Sequence, residues 1–368
     1  MKKRFWRGSR IAGTILGLSI TFATATMAAT ELAPKTLMPV QVGGYIDTEW
    51  ISNISSNTFK AHRLVLGISA HPHDKISFNS EIEFEYGGLV NSGANNGQIK
   101  IEQAWMEYTV NDAIHFRTGI LLVPFGQLNK LHDSDIRETT NRPLFNSRIV
   151  PTTWMDTGIG FQGAVTLKND AVIDYEAYLM NGLRSDTNGS ITATQGLSSA
   201  KPDFKADNNK SKAFVGRVGY TPFLGLELGV SGYSGTHDSG DQNNLSMIGL
   251  DGLVKSGPFE FVGEWASVRI ADNTGTLPGA MSGYYVETRY HFFPDFLRKS
   301  FFAEGFQSPT FTAIARWGQV NGGSTAGQES QWTLGLNYRP IQTMVFKIEY
   351  EYNEKGADQL LGSVALGF

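Results

Sequence analysis

The residues best placed to do chemistry gather in one stretch. Between positions 123 and 157 the chain carries His132, Asp133, Asp135, Arg137, Glu138, Arg142, Arg148 and Asp156, stiffened by Pro124, Pro143 and Pro151 and interspersed with Leu144, Phe145, Ile149 and Trp154. Fixed charges of both signs set a transverse field that sorts solutes by charge and dipole. Folded into a pore they would form a selective constriction, and left outside they would be a solvated loop with incidental charges; the apolar insertions favour a packed loop, and neither arrangement breaks bonds. A catalytic site needs a nucleophile, a base and an orienting acid together, yet His62, His71, His73, His115, His132, His237 and His291 are dispersed, with no serine partner standing out. His71 and His73 lie in His-Pro-His-Asp, a turn composition before it is a metal site. The chain has no Cys, which removes disulfides, thiolate metal sites and a thiol nucleophile. No catalytic residue, cofactor or metal is expected.

The elements that must hold such a loop are strands. Ile76, Phe78, Ser80, Ile82, Phe84 and Tyr86 alternate with Lys75, Ser77, Asn79, Glu81, Glu83 and Glu85, giving one greasy and one acidic face. The pattern recurs from Val40 to Phe368 and yields about 16 strands of roughly ten residues, the length of a tilted membrane-spanning strand. The connections sort by parity. Those after even-numbered strands are short (71–74, 111–112, 169–170, 221–225, 256–258, 339–342); those after odd-numbered strands are longer and polar (51–59, 87–97, 123–157, 181–210, 234–244, 271–280, 321–329, 354–358). A closed antiparallel barrel with two unlike rims requires this sorting, and a soluble sandwich does not. The segment 293–309 breaks the rule and has room for a short helix. The predicted fold is therefore all-β, a transmembrane antiparallel β-barrel whose third long connection is the charged one.

Counting the inward phase gives Arg63, Arg117, Arg217, Arg289, Arg316 and Arg339 against thirteen acids: Glu81, Glu83, Glu85, Glu107, Asp174, Glu176, Glu227, Asp251, Glu260, Glu264, Glu287, Glu349 and Glu351. So much charge fits a water-filled lumen, and 16 strands are wide enough for one. The expectation is an outer-membrane channel for passive diffusion of small hydrophilic solutes and ions. An excess of inward acids argues against strong anion preference. The alternatives are a phosphate- or anion-selective channel, for which Lys201, Lys205, Lys210 and Lys212 near the fourth loop would gather anions, and a barrel enzyme or adhesin.

The first residues add a compartment. Lys2, Lys3, Arg4, Arg7 and Arg10 precede an apolar stretch and small-residue cleavage points, so residues 1–29 are predicted to be a secretory signal and residues 30–368 the barrel domain. The formal charge of −4 falls further once those cations leave, which excludes nonspecific nucleic-acid binding.

The stretch RTGILLVPFGQLNKLHDSDIRETTNRPLFNSRIVPTTWMDTGIGFQG, with VQVGGYIDTEW and SPTFTAIARW, resembles the phosphate-selective porin O and P type of outer-membrane porin. The resemblance implies a 16-stranded barrel in the outer membrane of a Gram-negative bacterium, a homotrimer, and a third extracellular loop folded inward to narrow the pore. On that view Asp133, Asp135, Arg137, Glu138, Arg142 and Arg148 belong to the constriction. Ending on Phe368 resembles the signal read by the outer-membrane assembly machinery.

Overall fold

The computed structural model describes residues 39–90, 96–186, 190–323 and 326–368. The predicted export signal lies outside them. Sixteen strands follow in order: β1 (Val40–Ser52), β2 (Asn57–His73), β3 (Ile76–Val90), β4 (Asn96–Asn111), β5 (Ile114–Leu122), β6 (Met155–Thr166), β7 (Val172–Met180) and β8 (Ala213–Phe223). They continue as β9 (Leu226–Thr236), β10 (Asn244–Ser256), β11 (Phe259–Ile270), β12 (Ala280–Phe292), β13 (Thr310–Asn321), β14 (Gln328–Ile341), β15 (Met344–Asn353) and β16 (Gln359–Gly367). Each pairs antiparallel with the next. β16 returns to β1, Tyr45 opposite Gly367 and Ser52 opposite Leu360, and the barrel closes. Closure gives every strand two partners and leaves no edge.

Period two then decides which side chains face out. On β11 Phe259, Phe261 and Trp265 are exposed on the outer wall while Glu260, Val262 and Glu264 are buried inside. The register shifts at several points, and two of these β-bulges bear on the lumen. Between β1 and β2 the register slips so that Asp47 faces Arg63 but Glu49 faces Lys60; between β3 and β4 Glu81 faces Gln103 but Ile82 faces Ile101. Each bulge adds a residue to one strand and turns it inward. His62 and Glu102, outward by strict alternation, are thereby buried in the lumen.

The rims differ as expected, with shifted bounds. β2 runs 17 residues, well beyond the roughly ten that span a bilayer, so the first long-side connection shrinks to residues 53–56. The exceptional segment 293–309 contains a 3-10 turn at Asp295–Leu297 and folds outward. There Phe302 packs on Phe311 and Tyr338, the Tyr338 hydroxyl donates to the Phe302 carbonyl at 2.5 Å, and Phe296 and Phe301 stay exposed.

A hydrophobic core occupies part of the barrel interior. The connection L3 (residues 123–154), which includes helix α1 (Leu144–Arg148), brings Phe125, Phe145, Ile149 and Trp154 to it; the connection L4 (residues 181–212) brings Leu183, Ile191 and Leu197. They meet Tyr178, Met180, Val215, Tyr233, Met247, Val268, Met281 and Tyr285 on the inner wall of β7 to β12. Trp154 is fully buried, its ring 5.3 Å from that of Tyr233 and 6.2 Å from that of Phe125. Gly196 permits the closest approach between the two loops, because at its φ of +63° a Cβ would stand 1.8 Å from the Arg148 carbonyl oxygen. Deleting a buried aromatic side chain costs about 3–5 kcal/mol. Trp154→Ala should therefore loosen L3 while the barrel persists, read as faster proteolysis within 126–152 of the folded protein; unchanged resistance would contradict this packing.

Candidate functional site

The candidate site is the lumen with L3 laid across it. L3 leaves β5 and first meets β9 and β11. Gly126 N donates to Ser231 Oγ at 3.1 Å, and Gln127 N and Leu128 N donate to Glu264 Oε1 at 3.0 and 2.5 Å. Gly126 has φ +73° and a Cβ there would sit 2.5 Å from the Glu264 carboxylate, so glycine is needed for the approach. Lys130 then pairs with Glu176 on β7, and His132 Nε2 stands 3.2 Å from Glu102 Oε2 on β4. On the far side Lys347 Nζ donates to the Ser134 carbonyl at 2.7 Å, and Arg339 Nη1 to the Asp135 carbonyl at 2.8 Å. Thr140 N donates to Glu349 at 2.9 Å, and Asn141 Nδ2 to Glu351 at 2.8 Å. Asn129 fastens the base of the loop, its amide donating to the carbonyls of Val123 and Trp154 and its carbonyl accepting from Trp154 N at 2.7 Å.

The inward arginines are all ion-paired. Arg63 lies 2.9 Å from Glu83; Arg117 donates to Glu107 at 2.7 Å and stacks 3.9 Å from the Trp105 ring centroid. Arg217 is bidentate on Asp251 at 2.5 and 3.0 Å. Arg289 joins Glu260 and, at 2.6 Å, Glu287; Arg316 lies 3.5 Å from Glu287 and 3.4 Å from Glu351 while donating to Thr139 Oγ1 of L3 at 2.6 Å. Arg339 pairs with Glu138 at 3.2 Å. Glu81 accepts from Gln103 at 2.7 Å. Arg63, Glu83, Arg217 and Arg316 are buried, whereas Glu81, Glu107, Arg117, Arg289 and Arg339 keep partial exposure. In the buried pairs, removing one partner would strand the other charge.

Within L3 the charges divide. Arg137 donates to the Thr139 and Thr140 carbonyls and Arg142 to the Thr152 carbonyl at 2.7 Å, so both brace the loop itself. Burial pulls the Arg142 guanidinium down to about 10. Arg148 reaches Glu329 at 3.9 Å, and the Arg148 carbonyl accepts from Leu197 N of L4. Glu138 is held below the usual carboxylate range against the cost of its burial, by Arg339, Arg289 and the Asn337 amide. Asp133 and Asp135 face the lumen partly exposed. Phe368 continues the closure, exchanging backbone hydrogen bonds with Gly44 at 2.9 and 3.1 Å.

A family model described as phosphate-selective porin O and P matches residues 46–358. The chain belongs to that family. This porin is 27% identical over 344 residues to an uncharacterized protein of Aquifex aeolicus (strain VF5), covering 86% of this chain and 77% of the relative. Its fold is similar to the anion-selective porin of Comamonas acidovorans (TM-score 0.58, 12% identity, 90% of this chain and 100% of that one). It is also similar to Salmonella typhi OmpF in complex with daunomycin (0.60, 9%, 90% and 98%). A third likeness is to the trimer form of OmpT, an outer membrane protein of Vibrio cholerae (0.57, 10%, 90% and 100%). The protein is an outer-membrane channel of a Gram-negative bacterium.

Several lumen residues of the porin escape period-two reasoning. His62 and Glu102 turn inward because of the two bulges, His62 beside Asp47 and Glu49, which keep the alternation of β1, and the slips are visible in retrospect. Phe59 and Leu64 share the outer wall at an odd spacing, as do Ile101 and Ala104. Two groups bring a histidine nitrogen and two carboxylate oxygens together: Asp47, Glu49 and His62, and Glu102, His132 and Asp133. In the first, His62 Nε2 accepts from Arg63 Nη2 at 2.9 Å, so Nδ1 carries the proton and donates to Asp47 and Glu49, both at 2.9 Å. That group is a hydrogen-bond relay from β1 to β3.

Burial, with Asp133 alongside, pushes the Asp135 carboxyl up to about 6. The docked state therefore holds this proton more tightly than a free chain, where an aspartate titrates near about 3.9. Its contribution to docking is full at pH below the free-chain value and is lost as pH rises through about 6. L3 should resist proteolysis better at pH 5 than at pH 7.5, and Asp135→Asn should remove that difference; a pH-independent wild type would contradict it.

Proposed function

We propose that this porin is a general diffusion channel for small hydrophilic solutes and ions, of weak charge preference and on the cation side. In this proposal it works as a homotrimer set in outer-membrane lipid, with residues 1–29 as its export signal, Phe368 as the assembly signal and L3 as the constriction. One observation carries the selectivity: each of the six inward arginines already stands in an ion pair with a carboxylate. Phosphate recognition uses guanidinium N–H groups aimed at the anion's oxygens, and here carboxylates occupy them. The unlike signs that face one another across L3 support sorting by size and dipole more than by net charge.

The family's description favours a second reading, a phosphate-selective channel. Lys201, Lys205, Lys210 and Lys212 of L4 would then collect the anion at the mouth; burial, with Arg142 close by, draws the Lys201 ammonium down to about 8, so it keeps most of its charge at neutral pH and loses it above. Catalysis forms no part of the proposal.

Purified protein in a planar bilayer decides between them. The expected reversal potential in a KCl gradient gives a potassium-to-chloride permeability ratio slightly above one, with the chloride component unaffected by added phosphate. A strongly anionic reversal potential, with chloride current blocked by phosphate, would replace the first reading with the second.

A further inference from the structure

We propose that Glu102, His132 and Asp133 form a divalent-metal site that pins L3 to the barrel wall. His132 Nδ1 lies 3.0 Å from the Asn129 carbonyl and donates to it, which leaves Nε2 as the free ring nitrogen. Nε2 faces Glu102 Oε2 at 3.2 Å and Asp133 Oδ1 at 3.6 Å, and the three atoms lie within 4.8 Å of one another. Three acceptors aimed at one point repel unless something positive sits between them. Atoms bound to one ion at about 2.1 Å lie about 3–3.5 Å apart, so a small inward shift of the Asp133 and Glu102 carboxylates would close these three into a ligand shell.

A proton answers this demand less completely than a metal. It bridges Nε2 to one oxygen, and Asp133 Oδ1 is buried with no hydrogen-bond partner. Around the three ligands, Glu83 comes within hydrogen-bonding reach of Glu102, which requires a proton between them, and Arg63 is paired with Glu83. One imidazole and two carboxylates suit a first-row divalent ion such as Zn2+, Mn2+ or Co2+ better than Ca2+, which takes six to eight oxygens. His132 and Glu102 are almost wholly buried, so the ion would see little competing water. The placement gives the site a role. Glu102 belongs to the wall and is turned inward by the β3–β4 bulge, whereas His132 and Asp133 belong to L3, so the ion cross-links the two.

Folded protein stripped with EDTA and titrated with Zn2+ by calorimetry, and with Co2+ by visible absorption, tests this. One equivalent per chain is expected, with the d–d bands of a nitrogen- and oxygen-bound Co2+ and slower proteolysis of L3. Glu102→Gln, His132→Ala and Asp133→Asn should each weaken binding more than about tenfold, while heat-modifiability on gels confirms that each barrel is folded. Absence of stoichiometric binding to the wild type would mean that His132 serves as a protonated partner of Glu102 and would overturn the proposal. Equal binding by folded His132→Ala and Asp133→Asn would overturn it as well.

Discussion

A peptide group facing hydrocarbon has no water to bond, so a strand that crosses a membrane must be paired on both sides. The rest of this molecule depends on that constraint. It requires β16 to return to β1, and closure with 16 strands leaves an interior too wide for wall side chains alone to fill. The space is taken by backbone instead. L3 enters it carrying its own amides and carbonyls, each of which then needs a partner of its own. The inward carboxylates Glu264, Glu349 and Glu351 supply acceptors for L3 donors, and Lys347, Arg316 and Arg339 supply donors for L3 oxygens. Much of the lumen charge is therefore structural before it is selective.

This changes what an arginine count means. Six inward arginines in a family described as phosphate-selective suggest an anion path, but their guanidinium groups are engaged by Glu83, Glu107, Asp251, Glu260, Glu287, Glu351 and Glu138. Selectivity depends on charge that remains free to meet a solute. Buried Arg316, paired with Glu287 and Glu351, is not such a charge.

The strands were legible because period two is written into residues such as Phe259, Glu260 and Phe261, and the barrel because connection length follows parity. The length of L3 and its interleaved Phe145, Ile149 and Trp154 also marked it as a packed loop. Three features were not legible by that rule. His62 and Glu102 occupy bulges, where one inserted residue inverts the phase, so strict alternation assigns them to the wrong wall. The inner wall of β7 to β12 is partly apolar, with Met180, Val215 and Met247 receiving L3 and L4, although alternation alone makes every inward position look wet. The donors of Arg137 and Arg142 close on carbonyls of the same loop, a pairing that only the folded loop creates.

If L3, held by wall carboxylates on one side and an apolar patch on the other, sets the width of the channel, removing it must widen the pore. Single-channel conductance of the folded protein lacking residues 133–148, compared with the full chain at the same salt concentration, measures this most directly. A larger unitary conductance is expected from the shortened protein. An equal conductance from a correctly folded barrel would contradict it.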